Sequence, residues 1–453
     1  MTDSNTSFNR RHFLKTAGSA SAVATVFGVP ALLRGKDLNS KLQFAGIGAN
    51  GKGWSDIKEM ATHPQLAPVA FTDIDLTRMD KVKRLAPDAR LYQDYRKMLE
   101  DMGDKIDALT VSTPDHMHAY IALDLMRRGK HVYCQKPLTR TVWEARQVRN
   151  QAAKDKNIIT RMGNQIHSHS AYLTGVQLIQ SGVIGKIKEV HSWASPTGHG
   201  YSGLLERPKN PPEVPTSINW DLWIGVAPMR PYGGERIYHP FAWRDWQDFG
   251  SGAIGDFGCH ILDPVFTALK ITGGPNSIKA EHSGINDEVW PSQETLYYNF
   301  PSTEYIAGDN INITWYDGGR QPKASLALLP KGKTLPRLGS IFVGEKGSML
   351  LPHVGMPELN FIDAKIEHKI EKVESLNHYH GWIDGCLSGK QPSDGFEYGG
   401  NLTETVQLGN VAVHFPGEEL KWDAKNLKIT NKEEANPYLT RKYRKGWEIT
   451  EVN

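Results

Sequence analysis

Cysteine is scarce: Cys134, Cys259 and Cys386 lie far apart in 453 residues and form no C-x-x-C. That excludes a disulfide framework and the paired spacing of a zinc finger. No apolar run reaches the ~18 residues that a membrane-spanning helix needs. The formal net charge is only +3, and neither sign gathers into a block, which argues against a nucleic-acid-binding surface. Internal repeats and low-complexity tracts are missing too. What remains, 39% hydrophobic and 23% charged residues, is the composition of a globular protein long enough for two or three domains.

One stretch carries a specific signal. Lys41 to Ala45 reads as a short buried strand, and Trp54 to Met60 has the apolar spacing of a helix. Between them Gly46, Gly48 and Gly51 form G-x-G-x-x-G at a strand-to-helix junction. A tight turn, close backbone approach to a pyrophosphate, and a helix start facing an anion all require small residues there. The next strand, from Pro68, ends in Asp73, an acid placed to hold ribose hydroxyls. The combination predicts dinucleotide binding, and Asp73 favours NAD over NADP because a carboxylate repels a 2′-phosphate.

Strand and helix patterns then alternate. A strand from Ala108 to Ser112 ends in Thr113-Pro114-Asp115-His116-Met117-His118, and a helix is predicted from Ala119 to Arg128, closed by Gly129. A further strand, His131 to Cys134, ends in Gln135-Lys136-Pro137. Such alternation predicts a parallel sheet with ligands at the carboxyl ends of its strands. A lysine at a strand end beside a cofactor can exchange protons, which makes Lys136 a catalytic candidate. His116 and His118 are either cofactor neighbours or loop-packing residues.

Together, Gly46-Ile47-Gly48, Thr113-Pro114-Asp115-His116 and Lys136-Pro137 resemble the glucose–fructose oxidoreductase / inositol dehydrogenase (Gfo/Idh/MocA) family. The resemblance implies an α/β protein: an N-terminal Rossmann domain, 39–160, then a substrate-binding and oligomerisation α/β domain, 161–453, with a large, mostly antiparallel sheet. It implies cofactor contacts from Gly46, Gly48, Asn50 and Gly51, from Asp73, and from Thr113, Pro114, His116 and His118. Gln135 and Lys136 complete that set, with Lys136 catalytic. The family's usual tripeptide is Glu-Lys-Pro; Gln135 keeps its shape and loses its charge.

In the second half a helix is predicted from Tyr172 to Ser181 and a strand from Lys186 to Trp193. Residues 195–250 have little periodicity and read as an excursion around a pocket; they include His199, Tyr201, Arg207, His239, Trp243 and Arg244. Asp256 and His260 are four apart, so a helix puts them on one face, where a carboxylate can orient an imidazole for proton transfer. The resemblance implies that both join Lys136 in the catalytic group. A metal site is not expected, since third and fourth ligands are lacking. Pro264 is expected to kink or restart the helix. Turns at Asp317-Gly318-Gly319 and Glu345-Lys346-Gly347 fit hairpins between the strands that follow.

These readings converge on hydride transfer between nicotinamide and a carbinol carbon of a sugar, glycoside or cyclitol. Lys136 and His260 would handle the proton, and His167, His239 and Arg244 would contact the carbohydrate substrate. An NAD-dependent glycosidase using the same redox step is the alternative, and a non-catalytic sugar-binding protein is a third reading. At the N-terminus, Asn9-Arg10-Arg11-His12-Phe13-Leu14-Lys15 and the apolar stretch behind it resemble a twin-arginine export signal. Residues 1–38 are therefore set apart as signal and linker. Export through that machinery carries folded proteins, so a periplasmic or exported enzyme with tightly bound NAD is expected. An exposed sheet face predicts a homo-oligomer.

Overall fold

The computed structural model describes residues 41–195 and 200–452. The export signal and His199 lie outside the described residues. The chain begins with alternating elements: β1 (Leu42–Ile47), α1 (Lys52–Met60), β2 (Leu66–Thr72), α2 (Asp80–Leu85), β3 (Arg90–Tyr92) and α3 (Tyr95–Met102). There follow β4 (Ala108–Val111), α4 (Asp115–Arg127), β5 (His131–Gln135), α5 (Val142–Lys154) and β6 (Thr160–Gly163). The six strands form one sheet in the order β3-β2-β1-β4-β5-β6, every pair parallel. β1, β4, β5 and β6 are buried almost throughout, as a sheet covered on both faces demands. The chain turns back at β1, so the carboxyl ends of β1 and β4 open the crevice where such sheets bind ligands.

α4 starts four residues earlier than the apolar pattern predicted. Pro114 takes the N-cap position and Asp115 the first turn, a favourable place for an acid. Asp115, His116 and His118 therefore sit on a helix at the crevice and not in a loop.

The rest comprises α6 (Ser170–Gln180), β7 (Ile187–Trp193), α7 (Trp220–Ile224), α8 (Gly252–Leu269), β8 (Ser277–His282), β9 (Glu294–Pro301) and β10 (Asn310–Tyr316). Then come β11 (Gly339–Gly344), β12 (Gly347–Pro352), β13 (Glu358–Phe361), α9 (His378–Ser388), α10 (Phe396–Ala412), β14 (Glu419–Asp423) and β15 (Lys428–Ile429). Nine strands form the second sheet, β13-β12-β11-β7-β10-β9-β8-β14-β15, antiparallel except for the β7–β10 pair. The turn at Glu345-Lys346 does join a hairpin, β11 to β12. Asp317-Gly318-Gly319 does not: β10 already has β9 and β7 on its two edges, so the chain must leave and return on the far side of β7.

α8 packs against α6, α10, β7 and β11, and it continues through Pro264 instead of restarting there. Its burial on several sides holds the helix together where a proline removes one ladder bond. α9 returns to the first sheet, where Trp382 and Ile383 pack with Phe44 and Ile57. The aperiodic stretch before α8 has a core of its own: Trp220 stacks on Trp223 at 4.6 Å, with Tyr238, Trp246 and Phe249 buried around them. That core braces the segment carrying Trp243 and Arg244.

Candidate active site

A cavity of about 640 Å³ lies along the crevice. The glycine-rich loop forms its floor. Gly48 has φ 86°, and a Cβ there would lie 2.6 Å from the Ser112 carbonyl oxygen, so the loop lies tight on β4 only because the residue is glycine. Gly51, at φ 55°, faces open space. It precedes the first turn of α1, which has no side-chain cap. Gly46 does not line the cavity; a Cβ there would strike Ile57 and Phe71, so it serves the close packing of helix on strand. At the end of β2 the Asp73 carboxylate lines the cavity and accepts the N–H groups of Ala49 at 3.0 Å and Asp75 at 3.1 Å. Burial pushes its pKa up against the pull of those donors. An open glycine, an uncapped helix start and an acid at the next strand end fit a dinucleotide.

At the other end, Lys136 and the Asp256–His260 helix face each other across the same cavity. Lys136 Nζ donates to Asp256 Oδ1 at 2.8 Å and to the Asp256 main-chain oxygen. Arg244 Nε lies 3.4 Å from the same Oδ1, and Tyr201 Oη donates to Oδ2 at 3.3 Å. Burial opposes charge on Asp256, but Lys136 and Arg244 outweigh it and hold the carboxyl well below the usual range. Arg244 is itself clamped between the rings of Trp243 and Phe241, at 4.2 and 4.4 Å.

The expectation that Asp256 orients His260 is corrected here. Asp256 is bound to Lys136 and Arg244, and His260 Nδ1 instead meets Asn164 Oδ1 at the end of β6. Burial, reinforced by Lys136, pushes the His260 pKa well below its ordinary value, so the ring is neutral.

Other expected residues scatter. Asn50, Thr113, Pro114, His118 and Gln135 line the cavity. Both ring nitrogens of His118 lie 2.7 Å from main-chain oxygens, those of Pro137 and Thr113. His116 does not line it; its ring packs on Trp223 and Phe249, with Nε2 2.9 Å from the Trp223 carbonyl. His167 stands behind the wall, against Asp263, Tyr172 and Ser393, and does not line the cavity. His239 lines the cavity with Nε2 3.6 Å from Asp75 Oδ2 and with Arg78 nearby, at the Asp73 end. Arg207 pairs with Glu288, outside the lining.

Sequence reading passed over several residues. Asp115, at the start of α4, is pushed up to about 7 by burial, with Asp256 adding to the rise against Arg244 and Lys136. Asp56 on α1 is fully buried and accepts from Lys52 at 2.6 Å, Gln135 Nε2 at 2.7 Å, Ser112 at 2.9 Å and Tyr379 at 3.0 Å. A carboxylate thus lies directly under Gln135. Buried polar positions on an otherwise apolar helix face were the available signal for Asp56; nothing local pointed Asn164 at His260.

Residues 42–162 match the model described as an oxidoreductase family, NAD-binding Rossmann fold, and residues 168–320 match the C-terminal alpha/beta domain of an oxidoreductase family. The chain is 27% identical over 170 residues to levoglucosan dehydrogenase of Pseudarthrobacter phenanthrenivorans, covering 38% of this chain and 34% of that one. It is 26% identical over 207 residues to a glycosyl hydrolase family 109 protein of Shewanella putrefaciens, covering 40% and 44%. The matched stretches span less than half the length of these curated relatives. The fold is shared with the WlbA dehydrogenase from Bordetella pertussis, crystallised with NADH and UDP-GlcNAcA, at a TM-score of 0.59 and 15% identity over 84% of this chain and 99% of that one. With both family models matched in succession, and the glycine-rich crevice and its facing helix in place, the chain belongs to the Gfo/Idh/MocA oxidoreductase family.

Proposed function

We propose that the protein is an NAD-dependent oxidoreductase that moves a hydride to or from a carbinol carbon of a sugar, glycoside or cyclitol. One observation carries the reading: the Lys136–Asp256 pair and the His260 ring line the same cavity as the glycine-rich loop and Asp73. Gly48, Gly51 and the start of α1 would hold the pyrophosphate, and Asp73 the ribose hydroxyls. The Asp73 carboxylate supports NAD over NADP. Bound nicotinamide supplies the hydride acceptor or donor.

The chain's own groups manage the proton. Lys136, fixed by Asp256, positions the reacting hydroxyl, and His260 beside it exchanges the proton. Asp115, protonated up to about pH 7, keeps a second negative charge from forming beside Asp256. The 27% identity to a levoglucosan dehydrogenase supports a carbohydrate substrate. The test is absorbance at the reduced-nicotinamide band on mixing protein, NAD and candidate sugars. Lys136→Ala and His260→Ala are expected to lose turnover by about 10²-fold or more while still binding NAD. Near-normal turnover in both variants removes the assignment.

A second reading is favoured by the similarity to a glycosyl hydrolase family 109 protein. Transient oxidation would acidify a neighbouring C–H and permit elimination, hydration and re-reduction, with NAD recycled. Release of phenol from aryl glycosides without added NAD distinguishes it. Export by the twin-arginine route with cofactor tightly bound, and self-association through the open face of the nine-stranded sheet, belong to the same proposal. Cell fractionation and native mass test them.

A further inference from the structure

We infer that Asn164 is the positioning residue that sets the tautomer of His260, holding the ring proton on Nδ1 and leaving Nε2 bare toward the cavity. The use of that tautomer in catalysis rests on the hydride-transfer reading; the tautomer itself does not.

The argument is one of hydrogen-bond bookkeeping. Asn164 is fully buried. Its Nδ2 donates to the Cys259 carbonyl and to Asp263 Oδ2, both at 2.7 Å. Neither partner has a proton to give back. The carbonyl only accepts, and the Asp263 carboxyl already accepts from Tyr172 at 3.0 Å and from Tyr398, with His167 Nδ1 at 3.1 Å. Reversing the amide would set Oδ1 against two oxygens, so its orientation is fixed by the network. Oδ1 therefore faces His260 Nδ1 and must be met by an N–H. In a neutral imidazole one nitrogen donates and the other accepts, which leaves the lone pair on Nε2. Nε2 has no hydrogen-bond partner among the described residues, and the ring lines the cavity.

Two further features secure the arrangement. Pro264 has no N–H for the His260 carbonyl, and at the same turn Asn164 bonds the adjacent Cys259 carbonyl. The charged and titratable groups facing His260 are Lys136 from the end of β5, Lys52 from α1, His353 beyond β12 and Asp256 on its own helix. Burial first, and the neighbouring cations after it, disfavour an imidazolium, so the resting ring is neutral and has a tautomer to choose. Behind Asn164, Asp263 raises the pKa of His167 against the effect of burial. His167 thus packs its Nδ1 against the Asp263 carboxyl, a role different from substrate contact. Uptake of the hydroxyl proton at Nε2 would leave the Nδ1–H bond to Asn164 unbroken, so the base works without rearranging its support.

The direct test is ¹⁵N NMR of the full chain labelled at histidine, with His260→Gln used to assign the resonance. The expected result is a neutral ring protonated at Nδ1 between pH 7 and 8; protonation at Nε2 overturns the inference. Asn164→Ala is expected to lose that preference and to lower kcat on the order of tenfold to 10²-fold, with KM for sugar and NAD affinity within about twofold. Asp263→Asn, which can donate where Asp263 only accepts, is expected to release the amide and give the same split between kcat and KM. Unchanged kcat in both variants also overturns the role. If no sugar is oxidised by the unaltered protein, the hydride-transfer reading fails, while the NMR result still decides the tautomer.

Discussion

The two walls of the cavity are built by different rules. One wall comes from successive strand tips of the first sheet: Gly48 after β1, Asp73 after β2, Thr113 after β4 and Lys136 after β5. Each sits at the same place in a repeating unit, so the backbone itself carries it to the crevice. The other wall comes from Trp243, Arg244, Asp256 and His260, placed by an aromatic core and a buried helix far along the chain. Charge differs in the same way. Asp115 on the first wall is pushed up by burial, whereas Asp256 on the second is held down by Lys136 from the first wall and Arg244 from its own. Two buried carboxyls in one cavity thus have their pKa values pushed in opposite directions, set by which of them the cations touch.

The sharpest way to break this comparison is Asp256→Asn. An amide keeps the shape and removes the charge that anchors Lys136 and Arg244, so kcat should fall about 10²- to 10³-fold with NAD affinity little changed. Stopped-flow hydride transfer reads the loss directly. The unaltered Asp256, with its lowered pKa, contributes stability present above the unfolded pKa and lost only in strong acid, and the Asn variant lacks that acid limb.

A smaller effect is expected at the opposite end of the first wall. Asp73→Ser removes a charged acceptor, and a hydrogen bond to a charged group is worth about 1.5–3 kcal/mol, or roughly tenfold or more in NAD affinity. With Arg78 nearby, the preference over NADP should narrow as well. Fluorescence titration of both cofactors measures the ratio.

The smallest effect concerns Asp115→Asn. With a folded pKa of about 7 against an unfolded value near 3.8, Asp115 binds its proton more tightly when folded, so its contribution to stability declines as pH rises between those values. The Asn variant should show a flatter thermal midpoint over that interval, by a few °C. An unchanged slope would mean that Asp115 is already ionised beside Arg244.

The same contrast explains what could be read in advance. Gly48, Asp73 and Lys136 announce themselves because a tight turn or a strand end restricts the residue type at that point. The Asp256–His260 spacing was legible as a shared helix face, but not the partners. Lys136 lies 120 residues from Asp256, and Asn164 lies 96 from His260. No local pattern records which side chain a helix turns toward a distant strand end, and i, i+4 proximity alone suggested the wrong couple. His167 failed likewise, since a histidine facing a cavity and one buried behind it look alike in sequence. The start of α4 was missed because apolar periodicity begins only after its first turn, and that turn is the part facing the crevice.

Asp56 and Gln135 are a coupled pair. Their side chains meet at 2.7 Å, an amide hydrogen against a carboxylate oxygen. Restoring the family's more usual glutamate at position 135 would press two acids into that contact, and one of them would have to keep a proton to survive there. Gln135→Glu is therefore expected to destabilise this chain, and a simultaneous Asp56→Asn on helix α1 to relieve the loss.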